Sequence, residues 1–90
     1  MVTLRFLVYG RVQGVGFRWF AWREADRLGL RGFVRNQSDG SVEVIAAGPP
    51  QALEELERVL GRGPAQARVE RVERSDVPHE LLIPNAFDIR

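Results

Sequence analysis

Cysteine and lysine are both missing from these 90 residues, histidine occurs once, and no apolar run approaches the length needed to cross a bilayer. Without cysteine there can be no disulfide, no thiolate-bound metal and no cysteine nucleophile. Without lysine a Walker-type phosphate loop, which ends in Gly-Lys-Ser/Thr, is excluded. The one histidine, His79, lies between Pro78 and Glu80 in an expected loop, so a phosphohistidine route would rest on a single unsupported residue. An excess of charge is lacking too. Thirteen basic residues, all arginine, face twelve acidic ones for a net charge of +1, which gives no electrostatic basis for a nucleic-acid partner. An all-arginine basic set fits either genome composition or selection for multivalent ion pairs, and no function is drawn from it. The opening MVTLRFLVYG alternates polar and apolar residues around Arg5 instead of presenting the apolar core of a secretory signal, so a cytoplasmic location is expected.

What is present is the composition of a globular chain, 44% hydrophobic and 28% charged, long enough for one domain over residues 1–90. Val2, Leu4, Phe6 and Val8 alternate with Thr3, Arg5, Leu7 and Tyr9, the pattern of a central strand with one face under helices. From Phe17 the period lengthens. Phe17, Ala21, Glu24 and Leu28, flanked by Phe20 and Ala25, predict a helix ending at Leu28-Gly29, with Trp19 and Trp22 projecting from its other side. Leu30 to Arg35, the turn Gln37-Ser38-Asp39-Gly40 and Ser41 to Ala47 read as a hairpin. Pro49-Pro50 opens a second helix with Leu53, Leu56, Val59 and Leu60 inward and Gly61 as its end. Ala65 to Arg74 reads as a strand in which Val69 and Val72, three apart, require a bulge. Ser75 to Asn85 reads as loop, and Phe87-Asp88-Ile89 as a short fifth strand at an edge. The order predicts an α+β fold, a ferredoxin-like βαββαβ sandwich: a four-stranded antiparallel sheet, two helices on one face and the added edge strand.

Gly10, Gly14 and Gly16 fall where the first strand hands over to the first helix. Glycine permits the positive φ that aims successive N–H groups at one point, and a helix start adds unpaired donors and a positive dipole end. Arg18 in the first turn can add two charge-assisted bonds to phosphoryl or carboxyl oxygens. The alternative is a tight connection with Arg18 merely solvated. A dinucleotide fingerprint does not fit, because the third glycine position is Trp19. Asn36, at the end of the second strand, can donate and accept at once, which suits holding a water beside a phosphoryl group; the bland alternative is a turn-shaping residue.

Together, GRVQGVGFR (residues 10–18) and GFVRNQSDGSVE (residues 32–43) resemble the acylphosphatase family. The likeness continues through ADRLGLRG (residues 25–32), Gly48, the run GPAQARVERV (residues 63–72) and Phe87 to Arg90. It implies a small standalone acylphosphatase with a ferredoxin-like fold. It also implies a phosphate-binding loop of Gln13, Gly14, Val15, Gly16, Phe17 and Arg18, with Arg18 as the substrate-binding residue and Asn36 positioning the attacking water. Gln37 departs from the threonine of some members and is expected to alter the bonding that orients Asn36, while Trp19 falls either at the site mouth or on incidental surface.

The implied reaction is hydrolysis of an acyl phosphate to carboxylate and inorganic phosphate. Its leaving group has a pKa near about 4 and departs unprotonated, so no strong general acid is required. Phosphoryl transfer through a loose transition state depends on positioning and on stabilising equatorial charge. Expected accordingly are no cofactor, no metal, no membrane and no nucleic-acid partner, a monomeric state, and inorganic phosphate as product and competitive inhibitor. The acidic run Glu54, Glu55 and Glu57 is read as a solvated helix face. A cradle gripping only the phosphoryl end predicts broad acyl tolerance. Two rivals remain: a non-catalytic module binding an acyl phosphate or a partner, and an RNA-recognition module, which Arg31-Gly32-Phe33 resembles before Val34 and Arg35 break the pattern.

Overall fold

A computed structural model describes residues 1–78 and 82–90. The alternation of the first residues becomes β1 (Val2–Arg11), followed by α1 (Phe17–Arg27), β2 (Arg31–Asn36), β3 (Val42–Gly48), α2 (Pro50–Arg62), β4 (Arg68–Asp76) and β5 (Phe87–Ile89). The sheet runs β4-β1-β3-β2-β5. All pairings among the first four strands are antiparallel, and β5 adds to β2 in parallel. The fold is the ferredoxin-like α+β sandwich that the order of elements predicts. His79 lies outside the described residues.

Register explains which residues meet. Phe6 stands opposite Val44 and Val8 opposite Val42, while Val34 stands opposite Val44 from the other side. These side chains share the helix-covered face and are buried with Phe17, Phe20, Ala21 and Ala25 of α1 and Leu53, Leu56, Val59 and Leu60 of α2. Each large apolar side chain so buried stabilises by about 1.5–3 kcal/mol relative to exposure.

Several expectations shift in detail. Helix α2 runs through Gly61 to Arg62 and stops at Gly63, whose φ of 70° ends the helical path; Gly61 keeps helical geometry because its neighbours supply the packing. Strand β4 continues through Ser75 to Asp76, read as loop from sequence, because Leu4 pairs with Asp76 across the ladder. The expected bulge exists: Tyr9 pairs with Arg71 but Gly10 with Val69, leaving Glu70 extra, so Val69 and Val72 both lean on the core. Gly10 serves this approach, since a Cβ there would stand 2.1 Å from the Arg68 carbonyl oxygen. Trp22 does not project outward. It packs against the core, and its Nε1 donates to the Phe87 carbonyl at 3.0 Å, because β5 extends the sheet beneath that side of the helix.

The second face of the sheet is covered by arginine stems. Ile45 and Phe33 are buried there, with the Arg90 guanidinium 4.0 Å from the Phe33 ring centroid. Glu43, 3% exposed, accepts bonds from Nε of Arg5 and Nε of Arg35 at 2.5 Å each. A carboxylate buried this far requires such paired donors.

Candidate active site

The connection between β1 and α1 holds two glycines in the left-handed region, Gly14 at φ 75° and Gly16 at φ 79°. Gly16 is also the N-cap of α1. It brings no side-chain cap, and no acidic residue occupies the first turn, so the helix start has neither a capping side chain nor a competing carboxylate. The Gly16 carbonyl accepts from the Phe20 N–H at 3.0 Å, closing that turn. Arg18 stands in it, exposed, and its Nη1 donates to the main-chain oxygen of Arg90 at 2.9 Å. One edge of the guanidinium is thereby held by the chain after β5, and its other N–H groups remain for a ligand.

Asn36 ends β2 opposite Val42. Lying two residues beyond Val34, it shares the helix-facing side of the sheet, and as the last residue of its strand it emerges beside the start of α1. A cleft of about 250 Å³ opens between these parts, lined by Gly14, Gly16, Phe17, Arg18 and Asn36 together with Val12, Trp19 and Ile89. A larger hollow of about 550 Å³ lies away from the glycines, bordered by Met1, Thr3, Arg31 and Val77, and shares no residue with this cleft.

The sequence-predicted residues therefore divide. Gly14, Gly16, Phe17, Arg18 and Asn36 meet at one cleft. Gln13 and Val15 do not line it: Val15 packs against the core, and the Gln13 side chain crosses to the hairpin, its Nε2 donating to the carbonyls of Gln37 at 2.7 Å and Ser41 at 2.9 Å. The hairpin itself is closed by Gln37 N–H to Ser41 O at 2.9 Å and by Asp39 Oδ1, which accepts from Ser41 N at 2.9 Å and Oγ at 2.6 Å. These bonds hold the Asp39 carboxyl below the usual range, the Ser41 hydroxyl contributing most. Val12 and Ile89 escaped the sequence reading. Ile89 reaches the cleft only through the parallel pairing of β5 on β2, and the one sequence signal was the family likeness at Phe87 to Arg90.

Two residues of the acidic run on α2, Glu55 and Glu57, are engaged in ion pairs. Glu55 meets Arg58 at 2.6 Å and Glu57 meets Arg74 at 3.0 Å. Among the described residues no group of three His, Cys, Asp or Glu side chains gathers as metal ligands.

The sequence pattern of the acylphosphatase family matches residues 4–89. The chain belongs to the acylphosphatase family. An acylphosphatase from Synechococcus sp. (strain WH7803) is 57% identical over 86 residues, covering 96% of this chain and 84% of that one. One from Koribacter versatilis (strain Ellin345) is 55% identical over 78 residues, covering 87% of this chain and 71% of the relative. The crystal structure of acylphosphatase from Bacillus subtilis superposes with a TM-score of 0.93 at 38% identity, covering 100% of this chain and 99% of that one. The cleft itself lies where the glycine loop between β1 and α1 meets the end of β2.

Proposed function

We propose that the protein hydrolyses acyl phosphates, R–CO–O–PO₃²⁻ + H₂O → R–COO⁻ + H₂PO₄⁻, at the cleft between the glycine loop and Asn36. The observation that carries the reading is the meeting of Arg18, Asn36 and two left-handed glycines at an uncapped helix start. Loop amides and the free N–H groups of Arg18 hold the phosphoryl oxygens, and their bonds strengthen as equatorial charge develops. Asn36 holds water in line with the departing oxygen through its side-chain carbonyl and amide. The carboxylate leaves without protonation, its pKa being near about 4, and the water proton passes to the phosphoryl group. No step calls on a metal or cofactor.

The test is hydrolysis of acetyl phosphate in excess chelator by the native chain, Arg18→Ala and Asn36→Ala. Arg18→Ala is expected to lower kcat/KM by about 10²–10³-fold with effects on both constants. Asn36→Ala should lower kcat by about 10²-fold with little change in KM. Inorganic phosphate should compete with substrate, and weakly against Arg18→Ala. Equal rates for the three proteins, or activity abolished by chelator, would remove the mechanism. The proposal includes a monomeric chain in the cytoplasm without a nucleic-acid partner, checked by sedimentation, cell fractionation and RNA titration; among the described residues no helix is long and apolar enough to cross a membrane.

A further inference from the structure

Glu43 is the one charged side chain buried among the described residues, and neither it nor its two arginine partners border the cleft. Its carboxylate is shared by the strands on either side of β3. Oε2 accepts from Nε of Arg5 on β1, and Oε1 accepts from Nε of Arg35 on β2. A carboxylate taken this far out of water gains little net stability from its partners, and apolar residues could fill the same place. What the ion pairs add is a fixed relation between the strands that carry them. Their position in the ladder gives that relation a use. Arg35 stands opposite Glu43, and the next pair along is Asn36 opposite Val42. This stretch of β2 is supported on one side only: its pairing with β5 ends at Val34 with Ile89, and the backbone bond from Arg90 N–H to Val34 O follows. Among the described residues, Arg35 and Asn36 therefore pair with β3 alone, at a strand end, where a chain opens most readily.

We infer that Arg35 and Glu43 are positioning residues for Asn36: their ion pair, on the sheet face opposite the cleft, holds the end of β2 against β3 and so fixes where the Asn36 side chain meets its water. The inference rests on the reading of Asn36 as the holder of the attacking water. Successive strand residues point to opposite faces, so Arg35 restrains the backbone of Asn36 without touching substrate. The hairpin bond from Gln37 N–H to Ser41 O restrains the residue that follows Asn36, and the ion pair restrains the one that precedes it. In-line attack tolerates little displacement, since an error of about 1 Å can cost about 10²-fold in rate. Loss of the ion pair leaves the ladder and the hairpin bond in place, so its effect is smaller than removal of Asn36 itself. The phosphoryl group is held elsewhere, by the glycine loop and Arg18, so substrate binding should not depend on Arg35. Arg5 provides an internal comparison: it bonds the same carboxylate from β1, opposite Ile45 and away from Asn36.

The experiment measures acetyl phosphate hydrolysis by Arg35→Met, Arg5→Met and Arg35→Lys, and by Asn36→Ala alone and combined with Arg35→Met. The methionine variants keep an unbranched stem over the sheet and remove the donor. Both arginine side chains are partly exposed, at 52% for Arg35 and 38% for Arg5, so these variants are expected to fold, which circular dichroism checks. Arg35→Met should lower kcat about 3–10-fold with KM and inhibition by inorganic phosphate unchanged, whereas Arg5→Met should keep native kcat. Arg35→Lys, which retains a donor and the charge, should recover most of the loss. In the Asn36→Ala background Arg35→Met should cause no further loss of kcat, because a residue acting only through Asn36 has nothing left to position. The backbone order parameter at Asn36 should fall in Arg35→Met and hold in Arg5→Met. Equal kcat for the two methionine variants, or losses that multiply in the double variant, overturn the positioning role and leave acyl-phosphate hydrolysis standing. Native kcat in Asn36→Ala would instead remove the water-holding reading, and the positioning role with it.

Discussion

Gln13 shows how one side chain in a ligand loop can belong to the loop's support. Its amide nitrogen bridges the carbonyls of Gln37 and Ser41, joining the glycine loop to the hairpin turn that directly follows Asn36. Both carbonyls already accept a main-chain bond, from Gly40 and from Gln37 respectively, so each keeps a partner when Gln13 is truncated. Gln13→Ala should therefore cost only about 1–2 kcal/mol. Gln13→Glu should cost more, because a carboxylate cannot donate and would set its charge against two carbonyl oxygens. Urea denaturation of the two variants checks the order; an equal or reversed order would mean that the amide is not the tie. Gln37 presents the complementary case, a side-chain Nε2 buried without a partner among the described residues.

At the scale of elements, β5 is the piece whose stability depends most on another element. Three residues pair with β2, at Gly32 with Phe87, Phe33 with Asp88 and Val34 with Ile89, and the bonds from Gly32 N–H to Ala86 O at 3.2 Å and from Arg90 N–H to Val34 O at 2.8 Å flank them. So short an edge strand gains little from its ladder alone. Helix α1 supplies the rest through Trp22, and the main-chain oxygen after the strand accepts from Arg18. Trp22→Phe keeps the packing but removes the donor, with an expected loss of about 0.5–1.5 kcal/mol. The loss should be local. Hydrogen exchange should quicken over residues 86–90 while β1 and β3 keep their protection, and uniform acceleration across the sheet would contradict this account.

For the whole molecule, charge is arranged as ion pairs, some within one element, as Arg58 with Glu55, and others between elements, as Arg27 with Glu55 and Arg74 with Glu57. Glu55 on α2 is held below the usual carboxylate range chiefly by its bond to Arg58, with Arg27 of α1 also contributing, while Asp39 is lowered by Ser41. Both groups have folded-state pKa values depressed relative to the unfolded chain. Their contribution is thus present above the unfolded pKa and is lost as pH falls through the folded values, because the unfolded chain then binds more protons. The thermal midpoint should accordingly decline below about pH 4. Replacing both by amides, Asp39→Asn with Glu55→Gln, should lower the midpoint at neutral pH and flatten that decline. Calorimetry from neutral to acidic pH reads both effects, and a decline equally steep in the double variant would place the acid-sensitive groups elsewhere.

Much of this protein was legible in its sequence because the signals are local. Alternation about Phe6 and Val8, the helical spacing of Leu53, Leu56, Val59 and Leu60, and the glycines around Val15 each act within a few residues, where steric and periodic constraints dominate. Even the β4 bulge could be inferred, since Val69 and Val72 cannot otherwise share a face. Other features depended on distant partners. Trp22 faces inward only because β5 lies under it, Ser75 and Asp76 are strand only because β1 offers them a ladder, and Gln13 leaves the cleft because two carbonyls of the hairpin await its amide. The family and the two polar residues, Arg18 and Asn36, were thus determined by the sequence itself. That they share a cleft walled by Trp19 and Ile89 was decided by the tertiary structure, because the sheet pairs strands remote in the chain and only that pairing carries Ile89 to Arg18.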